Sequence, residues 1–466
     1  MFKKIILTIA VLVFTASYSF AGNVQTFGIG AKATSMGEAV SAYADDPYAV
    51  YYNPAGLVLS KRPVLSMGFM SHFPDVELSN FKVIGETSGI DRNAADGIPD
   101  NASIKDSDAV QPHMGYSMPI TEKLFFGIAA YSPYGMHIKW DKDPKKNPGA
   151  AYAWESYYGR MVINPSVAYK VNDKLSFGLG VSLGKSVSEA GKTIHFSDAT
   201  VDGANYVMAN QGSFTPEQIA AAGQVVAMNG AKLKLEATDD LNYSFNFGVM
   251  YQPIEQLSLG LTYRGRTDTD FEGDSFVTLA SGTKFAGTVD MEYDHPESVQ
   301  GGVRYFATKN LSLEFDLTWT RWSINEEQIE YINVPGVLPD YEAAHDRDWE
   351  DTFQYKIGAE WKVVDTVALR GGYTYDPTPV PDDTFDIGWP DTDRSVFNIG
   401  CGWEIADRWV VDSVVQYIVS TPTNKIRGES TELNHNYEGV YGEPVAVEVD
   451  SKGELWGLGL TVSYLF

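Results

Sequence analysis

Cysteine is nearly absent from this sequence of 466 residues, in which Cys401 is the single one. A lone cysteine excludes an internal disulfide framework. Positive charge is also scarce, because 35 lysines and arginines stand against 61 aspartates and glutamates, for a formal net charge of −26. Such an acidic chain is poorly suited to bind a polyanion. We therefore expect no nucleic-acid partner.

Long hydrophobic runs are also missing, apart from one at the N-terminus. There Lys3 and Lys4 precede an apolar run over 5–14, and a small-x-small site ends at Ala21. This pattern predicts a secretory signal peptide, residues 1–21, which is removed on export. An uncleaved membrane anchor is the alternative, although the run is shorter than the ~20 residues that a spanning helix needs.

The rest of the chain is apolar in a different way, by alternation. Residues 175–184 (LSFGLGVSLG) alternate large apolar side chains with serine and glycine, and residues 311–319 (LSLEFDLTW) alternate them with Ser, Glu, Asp and Thr. In a soluble sandwich the apolar face would meet a second sheet. Here the opposite face carries charges and glycines, which is typical of a polar lumen with lipid outside.

The breaks between these strands are of two kinds, short and long. The six short ones resemble one another and lie at 120–124, 171–175, 253–257, 307–311, 363–367 and 405–409. The seven long polar ones lie near 74–110, 134–157, 187–240, 271–284, 325–350, 376–394 and 420–452. Together they predict an all-β fold, a transmembrane antiparallel β-barrel of about 14 strands over residues 58–466. Short turns on the periplasmic side and long loops on the extracellular side are typical of barrels in the Gram-negative outer membrane.

One long loop contains a predicted helix. Thr215 is a good N-cap, Pro216 suits the first helical position, and Gln218 completes a capping box. The helix should end near 229–230 (Asn-Gly). It could either form part of an apolar surface at the barrel mouth or cover its own loop.

Residues 22–57 lack the alternation of the strands. A 14-stranded lumen is wider than one that side chains fill, so it leaks unless something occupies it. This stretch is rich in Gly and Ala, and the glycines of 175–184 leave room for it. We therefore predict an N-terminal plug, or hatch, inside the lumen, whose working end consists of Asn53, Pro54, Ala55 and Gly56.

No set of residues typical of an enzyme active site is recognisable. The seven histidines are scattered, with no i,i+4 pair and no His-Glu-x-x-His. Residues 91–100 resemble a calcium loop, but the glycine is out of register for an EF-hand, which favours a solvated acidic loop. We predict no enzyme, no cofactor and no metal site.

Several segments, in this order, resemble one protein family. They are 44–46 (Ala-Asp-Asp), 53–57, 168–178, 319–323, 369–376 and 390–394. The chain resembles the long-chain fatty-acid transporter family, which includes FadL and toluene transporters. The resemblance implies passive uptake of hydrophobic molecules, long-chain fatty acids first, by hatch movement and lateral exit at a kinked third strand. Uptake of monoaromatic hydrocarbons is the alternative, and a surface adhesin or structural barrel is the alternative of another class.

The exit and the ligand site can be located on this sequence as expectations. In and after the third strand, Pro133, Gly135 and Pro165 could leave a gap in strand pairing, because proline offers no N–H to the ladder. Two local bulges without function would explain the same residues.

A fatty acid also needs a cation for its carboxylate. By parity, the lumen cations are Arg370, the first choice, with Arg264, Arg304 and Lys356. The alternative is that these cations pair with lumen carboxylates, namely Glu314, Asp316, Glu360 and Asp412.

The chain ends on an alternating strand with a terminal aromatic, Phe466. This resembles the signal read by the barrel assembly machinery, which we expect to be a partner. Sideways release would also bring the ligand into outer-membrane lipid and past the lipopolysaccharide layer.

Overall fold

The computed structural model describes residues 25–105, 107–420 and 424–466. The predicted signal peptide, 1–21, lies outside these ranges, as do the first three residues of the predicted hatch. Within them, no helix is long and apolar enough to cross a membrane.

Strands dominate the described chain. They are β1 (Val64–Gly85), β2 (Ala102–Ser103), β3 (Ala109–Pro119), β4 (Leu124–Lys139), β5 (Glu155–Lys170), β6 (Leu175–Ile194), β7 (Ala231–Ile254), β8 (Leu257–Arg264), β9 (Phe271–Thr278), β10 (Lys284–Met291), β11 (Ser298–Phe306), β12 (Leu311–Thr320), β13 (Glu327–Val334), β14 (Leu338–Asp346), β15 (Thr352–Val364), β16 (Val367–Asp376), β17 (Arg394–Ile405), β18 (Trp409–Ser420), β19 (Asn424–Arg427) and β20 (Val445–Leu465).

Helices are short by comparison. They are α1 (Ala31–Ser35), α2 (Ala49–Tyr52), α3 (Arg92–Ala95), α4 (Asp198–Ala209), α5 (Pro216–Met228) and α6 (Thr431–Tyr441), with 3₁₀ helices at Pro54–Leu59, Gln211–Ser213 and Trp322–Ile324.

Fourteen of the described strands form one closed antiparallel barrel. In order around the wall they are β1, β3, β4, β5, β6, β7, β8, β11, β12, β15, β16, β17, β18 and β20. The last strand closes on the first, with Val64 opposite Leu465 and Ser66 opposite Ser463. Closure pairs the first strand with the last, so neither is left as a free sheet edge. The predicted fold class and strand number are confirmed.

The alternation along each strand separates two faces. On β6, Leu179 is 51% exposed on the outer face, whereas Ser176 is 2% exposed on the inner face. On β17, Ile399 is 74% exposed, and its neighbour Asn398 is buried. The outer face is therefore apolar and the inner face polar, because successive side chains of a strand point to opposite sides.

The two ends of the barrel differ as predicted. The six short breaks all join neighbouring barrel strands, and we call their side the short-turn end. The opposite, long-loop end carries β2, β9, β10, β13, β14 and β19 as well as α3 to α6. Several loop bounds differ from prediction, because β1 continues to Gly85, β6 continues to Ile194 and β7 begins at Ala231. The connection between β8 and β11 also runs over 265–297, and not over 271–284. The predicted loop contained β9 but assigned most of β10 to a barrel strand, because β10 shows the same alternation.

The loops at the long-loop end pack on an aromatic core of their own. Trp349 contacts the rings of Trp322, Trp389 and Tyr293, with centroids 5.4, 6.2 and 6.1 Å away. Helix α5 begins with the predicted capping box, in which Thr215 and Gln218 each accept a backbone N–H. It packs beside α4, which the sequence analysis did not predict.

The described N-terminal segment, residues 25–59, lies against the inner face on several sides. Its backbone bonds side chains on strands far apart around the wall, which are Ser176 of β6, Ser258 of β8, Thr374 of β16, Gln416 of β18 and Thr461 of β20. The segment is therefore held by the inner face in several directions at once.

Candidate functional site

Asn53 links three parts of the structure. Its Nδ2 donates to the carbonyl oxygens of Ser41, at 2.7 Å, and of Val249 on β7, at 3.0 Å. Its Oδ1 accepts from the backbone N–H of Ala55 at 3.1 Å and so caps the 3₁₀ helix. The extended backbone of Asn53, at φ −162° and ψ 102°, is the conformation that a following proline favours. One buried side chain therefore fixes the fold of the segment and its position on the wall.

The segment approaches the wall where the wall has glycines. A Cβ on Gly178 would lie 2.2 Å from the carbonyl carbon of Pro54, and one on Gly248 would lie 2.0 Å from Oδ1 of Asn53. Within the segment, a Cβ on Gly56 would lie 2.1 Å from the carbonyl oxygen of Ala44. A larger residue at Gly178 or Gly56 would need the backbone to move, and one at Gly248 would displace the side-chain amide of Asn53.

Two buried carboxylates of β12 also hold the segment. Asp316 accepts from the backbone N–H of Ser41 at 3.0 Å, and Glu314 accepts from that of Ala42 at 2.7 Å. Both carboxylates were predicted to face the lumen, but not to bond the N-terminal segment. Their spacing, two acidic residues on the inner face of one strand, was the available signal.

Arg370 and Arg304 lie at the short-turn end, where carboxylates already surround them. Arg370 donates to Glu360 at 2.7 Å and to Asp412 at 2.6 Å, and Arg304 bonds Glu314 and Glu360 at 3.2 Å each. Both arginines thus pair with lumen carboxylates, as in the alternative given for the predicted ligand cations. Their charge is balanced, so neither offers a free cation to a ligand carboxylate.

The cluster continues into the N-terminal segment. Lys32 pairs with Asp45 at 2.6 Å, beside a cleft of about 280 Å³ that opens at the short-turn end. In the same cleft, removal from water raises the pKa of Asp46 to about 7. Asp46 is thus mainly neutral below about pH 7, and it adds a further negative charge to the segment at higher pH.

Lys356 and Arg264 face a small polar cavity of about 30 Å³ on the other side of the segment. Lys356 pairs with Glu38 at 3.3 Å. Arg264 lies over the ring of Tyr51, 4.8 Å from its centroid, and bonds Gln300 at 3.1 Å. Of the four predicted cations, Arg264 alone has no carboxylate within 4.0 Å among the described residues.

A gap in strand pairing lies between the second and third barrel strands, β3 and β4. Their pairing runs from Pro119 opposite Phe125 to Met114 opposite Ala130. Beyond that, β3 pairs with β1 alone, whereas β4 continues along β5 to Lys139. The register of β4 also shifts between Tyr131 and Tyr134, which marks a bulge. Ser132 and Pro133 form that bulge.

The N-terminal segment occupies this gap. The backbone N–H of Thr26 donates to the carbonyl oxygen of Pro133 at 3.1 Å, and its hydroxyl donates to that of Ser132 at 3.0 Å. Gln25 forms an isolated antiparallel bridge with Tyr134. The open edge of β4 is thus covered by the start of the described chain.

The three residues predicted for the exit are distributed unequally around the gap. Pro133 borders it, and Gly135 follows one residue beyond Tyr134, opposite Gly159 of β5. Pro165 lies elsewhere, opposite Ile128, on the side of β4 that remains paired. The structure therefore brings together Pro133 and Gly135 but not Pro165.

Two cavities adjoin the gap. One is an open cleft of about 630 Å³ whose walls include inner-face residues, such as Tyr134 and Arg160, and outer-face residues, such as Ile163 and Leu183. The other is a cavity of about 70 Å³ beyond Phe27, lined mainly by apolar side chains, among them Met136 and Ile418. A mainly apolar cavity and an open cleft thus lie close to the same few residues.

A family model described as "Outer membrane protein transport protein (OMPP1/FadL/TodX)" matches residues 11–466. The chain belongs to this family. The OMPP1/FadL/TodX family comprises transport proteins rather than enzymes, and together with the barrel it places the chain in a Gram-negative outer membrane.

Relatives within the OMPP1/FadL/TodX family have low sequence identity to this chain but align with it over nearly the whole length of both chains. The long-chain fatty acid transport protein of Escherichia coli K12 is 24% identical over 490 residues, which cover 100% of this chain and 99% of that one. Outer membrane protein P1 of Haemophilus influenzae is 22% identical over 458 residues, which cover 95% and 94%.

Solved structures of family members share the fold. A Pseudomonas aeruginosa FadL homologue gives a TM-score of 0.72 at 18% identity and covers 97% of this chain and 98% of its own. The Pseudomonas putida toluene transporter TodX gives 0.67 at 15% identity, with 94% and 99% covered.

Proposed function

We propose that this chain takes up hydrophobic molecules through the outer membrane, with long-chain fatty acids as the first candidate. In this proposal residues 22–57 act as the hatch, and the ligand leaves sideways through the gap between β3 and β4. Sideways release has a physical advantage, because re-exposing an acyl chain to water costs ~0.8 kcal/mol per CH₂. Outer-membrane lipid thus receives the ligand beneath the lipopolysaccharide layer.

The observation that carries the proposal is the contact of Gln25 and Thr26 with the open edge of β4. The same segment that crosses the lumen also covers the gap. One displacement would therefore open both the path from the apolar cavity and the passage through the wall.

A specific observation favours acids over the alternative, monoaromatic hydrocarbons such as the toluene that TodX is named for. Arg264 faces the lumen without a carboxylate partner among the described residues, and a hydrocarbon offers nothing to balance it. An adhesin, the alternative of another class, would have no use for a gap that its own N-terminal segment covers.

Oleate uptake tests the proposal. A Gram-negative strain without its own fatty-acid transporter, expressing this chain, should accumulate labelled oleate. Asn53→Ala removes the hydrogen bond to Val249 that ties the hatch to the wall, about 1 kcal/mol or roughly fivefold in docking, and the bond to Ser41 that holds the fold of the hatch. Oleate uptake should fall, because a misfolded hatch no longer leads the ligand to the gap. Gly135→Val should also block uptake, because its side chain would share a face with Gly159, which lines the cleft.

The matched control is Asn101→Ala, in an exposed loop where the side chain bonds its neighbour Asp100 alone among the described residues. It should take up oleate like the wild type. If the wild type inserts but accumulates no oleate, the same cells are tested with labelled toluene. Uptake of toluene alone would establish the hydrocarbon alternative and reject fatty acid.

The proposal extends to assembly. Phe466 is 57% exposed at the short-turn end, where its ring contacts Tyr464, and its backbone N–H donates to Pro63 at 3.0 Å. The barrel assembly machinery could therefore read the ring directly. Removing Phe466 should lower the amount of folded protein in the outer membrane several-fold, as measured by heat-modifiable mobility of membrane fractions. An unchanged amount would reject this partner.

A further inference from the structure

We propose that Arg160 forms an anion site at the gap between β3 and β4, which binds the ionised carboxylate of an amphiphilic acid as the acid passes the wall. The inference rests on the proposed function and deepens it, because it names the ionised headgroup as the feature that the passage recognises. It concerns a residue that the sequence analysis did not select.

The position of Arg160 is fixed by the strand register. It lies directly opposite Tyr134, in the first pair after the bulge of β4, and its side chain points inward. Tyr134 is the residue that Gln25 bridges. Arg160 is therefore one strand away from the contact between the N-terminal segment and the open edge.

The guanidinium group of Arg160 is incompletely bonded. The residue is 3% exposed, its Nε donates to Asn242 at 2.8 Å, and its Nη2 has no hydrogen-bond partner. No carboxylate of the described chain lies within 4.0 Å of it. The nearby Asp239 instead accepts from Asn242 at 3.1 Å and from the backbone of Leu241 at 3.1 Å.

Other buried arginines of the described chain are paired with carboxylates. Arg394 pairs with Asp376 and Asp391 at 2.6 Å each, Arg347 pairs with Asp386, and Arg304 and Arg370 have the carboxylates given above. A buried cation without a counter-charge is costly, most of all at membrane depth. Arg160 departs from this pattern at the place where the wall opens, which indicates that its counter-charge is supplied by a ligand.

The surroundings hold the guanidinium in place and leave room beside it. Gly184 on β6 makes space, since a Cβ there would lie 2.8 Å from Nε of Arg160. Aromatic side chains pack against Tyr134, the residue opposite Arg160. Tyr158 bonds Nε2 of His295 at 2.6 Å, and the ring of His295 lies 4.2 Å from that of Tyr134. The site is thus preformed.

The adjoining cleft suits the rest of an amphiphile. It has a volume of about 630 Å³, and its outer side is lined by Met161, Ile163 and Leu183. A carboxylate on Arg160 would leave the acyl chain against these apolar side chains and directed toward lipid. A guanidinium binds a carboxylate through charge-assisted hydrogen bonds, whereas a neutral hydrocarbon cannot use the site.

The test is equilibrium binding to the purified full-length mature protein in phospholipid-free detergent. Labelled oleate is compared with oleyl alcohol, which has the same chain and no charge. Arg160→Gln should weaken oleate binding about tenfold to hundredfold, the range for a hydrogen-bonded charged group, and leave oleyl alcohol unchanged. Arg160→Lys should retain part of the oleate affinity. Each variant is also made with Arg264→Gln, so that a lumen site cannot mask the loss.

The matched control is Arg408→Gln, which removes the same charge at an exposed turn on the short-turn end. It should bind both ligands like the wild type. Oleate binding that survives Arg160→Gln in both backgrounds would overturn the inference, and equal loss of oleate and oleyl alcohol would show that Arg160 has a structural role instead. A wild type that binds neither ligand would reject the proposed function itself, and the inference with it.

Discussion

Oxidation of a Gln25→Cys, Tyr134→Cys double variant should reduce oleate uptake to the level of cells without the protein, and reduction should restore it. The two residues form an antiparallel bridge, in which Cα atoms are ~4.5–5.5 Å apart. A disulfide accepts about 4.4–6.8 Å. The bond would tie the N-terminal segment to the edge of β4 and keep the gap covered. Uptake is measured in the same cells before and after addition of a membrane-permeant reductant.

The chain suits this experiment, because Cys401 is its single cysteine and can be replaced by Ser without affecting the gap. Replacing Tyr134 also removes a ring, so the reduced double variant is the reference, and each single variant controls for the oxidant. If the oxidised variant transports as fast as the reduced one, while gel mobility shows the disulfide to be complete, the segment does not leave the gap during transport.

Gly178→Val should convert the closed barrel into a leaky one. The new side chain would begin 2.2 Å from the backbone of Pro54, which cannot yield without shifting the 3₁₀ helix that follows. Overpacking of this kind costs about 1–3 kcal/mol, whereas a β-branched residue suits the strand itself. We expect the hatch to dissociate and the barrel to persist. Swelling of liposomes in a small sugar measures the leak.

Gly301→Val provides the matched control. It introduces the same side chain on the outer face of β11, where the Cβ would lie at an ordinary 3.8 Å from Cδ1 of Leu261. These liposomes should stay as tight as those of the wild type. A Gly178→Val barrel that remains tight and still resists heat unfolding would mean that something other than the N-terminal segment closes the lumen.

Much of the wall could be predicted from the sequence. The strands of 175–184 and 311–319, the six short turns and the count of fourteen follow from an alternation of period two, which is a local property of the chain. The connection at 265–297 was predicted too short, because β10 alternates in the same way although it is not a strand of the barrel wall. The capping box of α5 was likewise local and was predicted correctly.

The contacts of the candidate site could not be predicted from the sequence to the same extent. Parity alone placed Arg370 and Arg264 on the inner face, but it could not distinguish them. Arg370 meets Asp412, 42 positions away, and Arg264 meets Tyr51, 213 positions away. Which cation is neutralised depends on strands brought side by side by closure of the barrel.

The sequence by itself determined the alternating strands, the two kinds of connection and a glycine-lined inner face, because each is expressed within a few neighbouring residues. Only the folded chain shows where strand pairing is interrupted and which arginines remain without a carboxylate. Both depend on register: the gap exists because β3 and β4 stop pairing at Ala130, and Arg160 lacks a counter-charge because its partners across the strands are Tyr134 and Ser186. Register between strands is a property of pairs of segments, and no single segment contains it.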